Sequence, residues 1–143
     1  MNDSSVILHA TCVSIAGRGV LIMGPSGSGK SSLALQLIAL GAALISDDRT
    51  VVRFEDSTLI AAPPAAIAGM IEARGVGIIS VPHLDGALLV LTIDMGCTET
   101  DRLPEAHVAH VLDVTLPCLR KVDAPYFSAA IYAYVLGMRK EAI

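Results

Sequence analysis

Apolar residues along this chain fall into short blocks separated by glycine, proline and charge. Residues 6–8 and 12–15 read as short strands, and the continuous run Val20-Leu21-Ile22-Met23 has the character of a strand buried on both faces. A glycine-rich stretch follows. Leu33, Ala34, Leu37 and Ile38 then recur at helical spacing, and Gly41 closes that helix as a C′ glycine would. Residues 42–45 predict another buried strand, and residues 51–54 and 58–61, flanking Glu55-Asp56-Ser57, predict a hairpin. Pro63-Pro64 stops that unit. A short helix is predicted to run to about Glu72, broken by Gly75 and Gly77. Strands are predicted over 78–81 and 87–93, a loop over 96–104, a last strand over 111–116 and a last helix over 128–139. Strands outnumber helices, which predicts an α/β domain with a mixed, twisted sheet and helices packed on it. No repeat or linker divides the pattern, so 1–143 reads as a single domain.

Composition adds to this picture. The chain is 53% hydrophobic but only 3% aromatic, so the core must be built from Val, Ile, Leu and Ala. Such an apolar surplus fits either a dense core or a face buried in a homo-oligomer. The longest apolar stretch, 124–138, is interrupted by Ser128 and falls short of the ~20 residues a spanning helix needs, so no membrane partner is expected. The first five residues carry no basic charge, which does not support a secretory signal. Cys12, Cys97 and Cys118 show neither zinc nor redox spacing, which suits reduced thiols in a cytoplasm. A net charge of −4 without a basic run gives a nucleic-acid partner no electrostatic support.

Two patterns carry chemistry. Gly24-Pro25-Ser26-Gly27-Ser28-Gly29-Lys30-Ser31, followed by Ser32, satisfies G-x-x-x-x-G-K-[ST] completely. Glycines let backbone N–H groups curl around a phosphate, and the helix that starts there adds its positive end. Lys30 brings a cation to the β- and γ-phosphates of ATP as a solvent-facing point charge, and Ser31 offers its hydroxyl to magnesium. The alternative, a glycine-rich turn that binds nothing, lacks a reason for the apolar strand before it and the amphipathic helix after it.

Asp47-Asp48 is the second pattern. It follows the apolar run 42–45, with Ser46 between. A strand entered directly from the phosphate-loop helix returns parallel, which sets its end at the ligand-binding edge. One carboxylate there can hold magnesium or its water, and the other can take a proton from an attacking hydroxyl. The bland reading is a solvated turn, Asp47-Asp48-Arg49-Thr50.

With these residues together, the chain resembles the catalytic domain of the bacterial HPr kinase/phosphorylase family. Members phosphorylate a seryl residue of the phosphocarrier protein HPr, and dephosphorylate it by phosphorolysis, in control of carbon metabolism through the phosphotransferase system. Four features carry the likeness: His9 before the phosphate-loop strand, Gly24 to Ser31, Asp47-Asp48, and Ile71-Glu72-Ala73-Arg74-Gly75-Val76-Gly77-Ile78-Ile79-Ser80-Val81, similar to L-E-I-R-G-L-G-I-I-N-V. Asp101-Arg102-Leu103 is similar to the segment with the family's active-site arginine. The resemblance implies a phosphoenolpyruvate-carboxykinase-like P-loop fold, ATP and magnesium as cofactors, an HPr-like protein as substrate, and a hexamer. It implies that Ser31 and Glu72 hold magnesium, that Asp48, aided by Asp47, exchanges the serine proton, and that His9 and Arg102 complete the site.

Two departures from the family pattern shape the expectation. The sequence begins almost at the histidine, where most members carry a preceding regulatory domain. Where members have a P-V-R-P-G-R-N-like loop for dephosphorylation, it reads Pro117-Cys118-Leu119-Arg120-Lys121-Val122-Asp123, which predicts a weak reverse reaction. Two other readings are an ATP-sensing regulatory module of weak catalytic power and a small-molecule kinase. A small-molecule kinase needs a lid to exclude water, and no lid segment is evident.

Overall fold

The protein is described by a computed structural model covering residues 5–138. Three of its hairpins close with two-residue turns: Ala16-Gly17 joins β2 (Ala10–Ile15) to β3 (Arg18–Met23), Asp56-Ser57 joins β5 (Thr50–Glu55) to β6 (Thr58–Ala62), and Leu112-Asp113 joins β10 (His107–Val111) to β11 (Val114–Lys121). Both central residues of each turn have positive φ, the type I′ geometry whose twist matches that of the flanking strands. Sequence anticipated the turn at Asp56-Ser57. It missed the turn at Leu112-Asp113, because leucine rarely adopts φ 46° and no glycine marks the bend. The strand predicted over 111–116 is therefore the end of one strand and the start of another.

A nine-stranded mixed sheet runs in the order β1-β5-β6-β9-β3-β2-β4, with β1 over Ser5–Leu8, β4 over Ala43–Ser46 and β9 over Ala87–Thr98. β11 pairs with the far half of β9 and carries β10 beyond it. β9 and β11 run parallel, and β9 is parallel to β3. β4 shares the direction of β3 without touching it, because both are antiparallel to the intervening β2. The carboxyl ends of β3, β4, β9 and β11 consequently face one edge.

Alternation along the strands builds a core on each face. Val13, Ile15, Val20 and Ile22 meet α1 (Lys30–Ala39) through Leu33, Ala34 and Leu37, and α2 (Phe127–Leu136) through Phe127, Ile131 and Val135. On the other face Cys12, Leu21, Ile45, Val52 and Leu59 pack inside the curl of the sheet. β9 serves both cores from same-parity positions: Ala87 and Leu89 face the second, Leu91, Ile93 and Met95 the first. The register against β3 slips between Leu89 and Leu91, and this bulge reverses the side to which odd-numbered residues point. Burial pushes the Cys12 thiol well above its ordinary pKa, which keeps it inert.

The helix expected to end near Glu72 is not formed. A 3₁₀ turn over Ala65–Ile67 leads into β7 (Met70–Ala73), which pairs with β8 (Gly77–Ser80) in a separate two-stranded ribbon. Burial alternates along β7: Ile71 and Ala73 are covered while Met70 and Glu72 are exposed. β9 also runs five residues past the predicted strand end at 93, into the segment expected to be a loop. Of the last predicted helix, Arg139 lies outside the described residues. No helix among the described residues is long and apolar enough to cross a membrane.

Leu37 is fully buried between α1 and the sheet. Leu37→Ala is expected to lower stability by about 2–5 kcal/mol, seen as a lower urea midpoint at unchanged slope.

Candidate functional site

The loop from Gly24 to Gly29 leaves the carboxyl end of β3 and enters α1 at Gly29, the N-cap, whose φ is 100°. Among the described residues no side chain caps the helix, so its first amides remain available to an anion. Gly24 is required for space as well as conformation. A Cβ there would come within 2.6 Å of Ser28 Oγ and 3.0 Å of Met95 Cβ. Lys30 is only 6% exposed, not the solvent-facing charge expected from sequence. Its ammonium donates to the carbonyls of Gly24 at 2.9 Å and Pro25 at 3.2 Å, bracing the loop from within.

Asp47 and Asp48, just beyond β4, take different roles. Asp47 Oδ1 accepts from Ser31 Oγ at 2.5 Å and from Thr11 Oγ1 at 3.2 Å, while Oδ2 accepts the Glu72 amide at 3.1 Å. Asp48 projects outward, its backbone in the left-handed region at φ 69°. That conformation is held by its own amide, which donates to Thr11 Oγ1 at 3.0 Å. His9 Nε2 lies 2.6 Å from Asp48 Oδ1. With 56% of its side chain exposed, Asp48 is open to solvent.

A cavity of about 330 Å³ joins these parts, lined by Gly27, Lys30, Ser31, Asp48, Glu72 and Arg74 among others. Its side-chain oxygens include the Ser31 hydroxyl and the Asp48 and Glu72 carboxylates. Such a set of hard oxygens fits magnesium, which is usually bound through one or two carboxylates plus substrate phosphates.

Comparison with known proteins identifies the architecture. Residues 3–95 match the family model described as the HPr Serine kinase C-terminal domain. The chain belongs to this family. HPr kinase/phosphorylase from Clostridium botulinum strain Eklund 17B is 49% identical over 84 residues, 59% of this chain and 28% of that protein. The same enzyme from Clostridium tetani is 45% identical over 86 residues, 60% of this chain and 28% of that protein. The aligned part is thus little more than a quarter of these curated relatives' length. The structure described as the Hpr(Ser) kinase/phosphatase from Coxiella burnetii superposes with a TM-score of 0.80 at 26% identity, over 96% of this chain and 92% of that one. The structural match extends through the α/β fold with its mixed sheet.

The residues singled out by family resemblance are not all neighbours. His9, Lys30, Ser31, Asp47, Asp48 and Glu72 converge around the phosphate loop. Arg102 does not. It lines a different cavity of about 650 Å³, with Arg120, Tyr126 and Tyr134. The cause is the long β9: Lys121 pairs with Thr98 at its tip, so the connection to β10 departs on the α2 side. Glu99 pins that connection, accepting the amides of Thr100 and Asp101 at 3.1 Å each and meeting His107 Nε2 at 3.0 Å. Thr11 and Arg74 were not assigned site roles from sequence. Thr11 is a buried polar residue within an apolar strand, a pattern that could have marked it. Among the described residues Arg74 forms no ion pair with Glu72; it faces the phosphate cavity instead.

The Asp101 amide, followed by His107 and the Thr100 amide, holds the Glu99 carboxyl below its ordinary pKa. A depressed folded-state pKa gives stability that is present above the unfolded value, about 4.3, and is lost as pH falls through the folded one. Glu99→Gln is expected to be less stable than wild type at neutral pH. Urea titrations at decreasing pH should show the difference closing below about pH 4.

Proposed function

We propose that this domain transfers the γ-phosphoryl group of ATP, with magnesium, to a seryl hydroxyl of an HPr-like phosphocarrier protein. The observation that carries the reading is the His9–Asp48 pair at the rim of the phosphate cavity, a base candidate beside the place where a γ-phosphate would end. Lys30 and the amides of the loop from Gly24 to Ser32 would hold the phosphates. Ser31 and Glu72 would hold magnesium, which when bound neutralises charge on the transferred group. Asp47 fixes Ser31 and the Glu72 backbone in place.

In the forward direction the serine oxygen attacks the γ-phosphorus, its proton passes to Asp48, and the bond to the β-phosphate oxygen breaks to release ADP. In reverse, an oxygen of inorganic phosphate attacks the phosphoserine phosphorus. Pyrophosphate forms, and the serine oxygen recovers its proton from Asp48. His9 orients the Asp48 carboxylate for both. Exposure of Asp48 supports a protein acceptor, which can cover the site itself.

Weak reversal is supported by the setting of residues 117–123. Pro117 to Lys121 belong to β11, where they are committed to a ladder and not to a loop free to close on phosphate. Arg120 faces the cavity shared with Arg102. We place the enzyme in the cytoplasm as a homo-oligomer, by family resemblance a hexamer. Exposed apolar side chains such as Val76, Ile78 and Leu103 support such contacts.

Lys30→Met keeps the aliphatic stem while deleting the charge. ATP affinity by calorimetry is expected to fall at least about tenfold with the circular dichroism spectrum unchanged; undiminished affinity removes Lys30 from the site. Incubation with labelled ATP, magnesium and a purified HPr-like protein should yield phosphoserine, and Asp48→Asn should slow it at least about 100-fold. The same protein presented as phosphoserine with millimolar phosphate should release pyrophosphate more slowly than the forward rate. ATP binding without phosphoserine formation would instead identify a nucleotide-sensing module.

A further inference from the structure

Asp48 sits in an unusual piece of backbone. The Arg49 amide donates to the Asp47 carbonyl at 2.8 Å, which closes a three-residue turn around Asp48 at φ 69°. A γ-turn with positive φ at its centre is the rare and strained form, and such backbone persists only where its surroundings hold it. The β2–β4 ladder does not reach the turn, because its last pair is Cys12 with Ser46. One residue nearer the start of β2 stands Thr11, fully buried.

The Thr11 hydroxyl is committed in both directions. The Asp48 amide can only donate and the Asp47 carboxylate only accept. Thr11 Oγ1 therefore accepts from the first at 3.0 Å and gives its one proton to the second at 3.2 Å. Most side-chain hydrogen bonds in proteins serve the main chain or water. Thr50 and Thr92, the other buried threonines among the described residues, follow that habit and donate to the carbonyls of Ala10 and Pro117. Thr11 bonds, among the described residues, to the acidic pair alone.

We infer that Thr11 is a positioning residue for phosphoryl transfer: its hydroxyl holds the strained turn that presents the Asp48 carboxylate at the rim of the phosphate cavity. The inference rests on the proton-accepting role given to Asp48 above and adds what keeps that carboxylate in place. A base must stand within hydrogen-bond reach of the proton it takes, so a turn that relaxes loses rate. Nucleotide affinity is a separate matter, because Thr11 does not line the phosphate cavity. Asp47 would keep its bonds to Ser31 and to the Glu72 amide without Thr11. Ser46, whose hydroxyl donates to the Arg49 carbonyl, pins the far end of the turn and preserves the chain path there.

The test exchanges only the hydroxyl. Valine has the shape of threonine and suits a strand, so Thr11→Val is expected to keep the circular dichroism spectrum. Its kcat for phosphoserine formation is expected to fall at least about tenfold, while ATP affinity by calorimetry with magnesium stays within about threefold. Thr11→Ser keeps the hydroxyl and should hold kcat within about threefold of wild type. Amide hydrogen exchange, followed by NMR, reads the bond directly. The Asp48 amide should be protected in wild type and in Thr11→Ser, and should exchange at least about tenfold faster in Thr11→Val. An unprotected Asp48 amide in wild type overturns the inference without any variant. A Thr11→Val kcat within about twofold of wild type overturns it as well. So does an equal loss in Thr11→Ser, which would make the methyl group the cause, or a loss of rate that follows ATP affinity or the folded fraction. Wild type that forms no phosphoserine brings down the role of Asp48 as a base, and this inference with it. The other outcomes arise in an active wild type and bear on Thr11 alone.

Discussion

The carboxylate of Asp47 bonds to three segments that are remote in sequence: Thr11 on β2, Ser31 in the first turn of α1 and the amide of Glu72 on β7. Each bond ends on a carboxylate and is therefore charge-assisted, and those from Thr11 and Ser31 are partly buried. The phosphate loop, the acidic turn and the exposed ribbon therefore hold one arrangement. Glu72 lies on the exposed face of β7, a strand of the β7–β8 ribbon whose Ile71 packs in the core under α1. Loss of the Asp47 carboxylate would remove the bond that ties the Glu72 backbone to the start of α1 and to β2.

Around that hub, the sheet has to present several strand ends at one edge while filling two cores. The bulge in β9 reconciles these demands. Before the slip its inward residues pack inside the curl of the sheet; after it they pack under the helices. A single strand can then pair with β6 at its start, β3 through its middle and β11 toward its tip. A cavity beside α1 exists because β11 ends next to the loop at that tip, and its connection into α2 forms the far wall.

The division of the acidic pair follows from the same geometry. Asp47 is engaged by donors and points inward. Asp48 is turned outward by a left-handed backbone conformation that Thr11 holds, and among the described residues only His9 meets its carboxylate. Two adjacent carboxylates thus avoid competing for one position, and one stays open to solvent. A left-handed conformation is tolerable at aspartate, whose short polar side chain makes local hydrogen bonds.

Much of this was legible in the sequence because it is local. The phosphate loop is a run of glycines whose positive φ values no other residue adopts easily, and α1 announces itself by the spacing of Leu33, Leu37 and their neighbours. The buried strands β3 and β4 are plain apolar runs, and Asp47-Asp48 follows at the carboxyl end of the second. What the tertiary structure alone decided depends on contacts distant along the chain. Residues up to Glu72 offered a helix-like pattern, but pairing with β8 and the Asp47 bond to the Glu72 amide drew them into a strand. Leu112-Asp113 turns because Val111 and Val114 pair across it, with no local signal. Arg102 is carried away from the phosphate loop by the length of β9, and Thr11 becomes a positioning residue only when β2 lies against the end of β4. Propensity and periodicity act over a few residues, whereas register and strand order are set by which distant surfaces can be buried together, and those surfaces meet only in the folded chain.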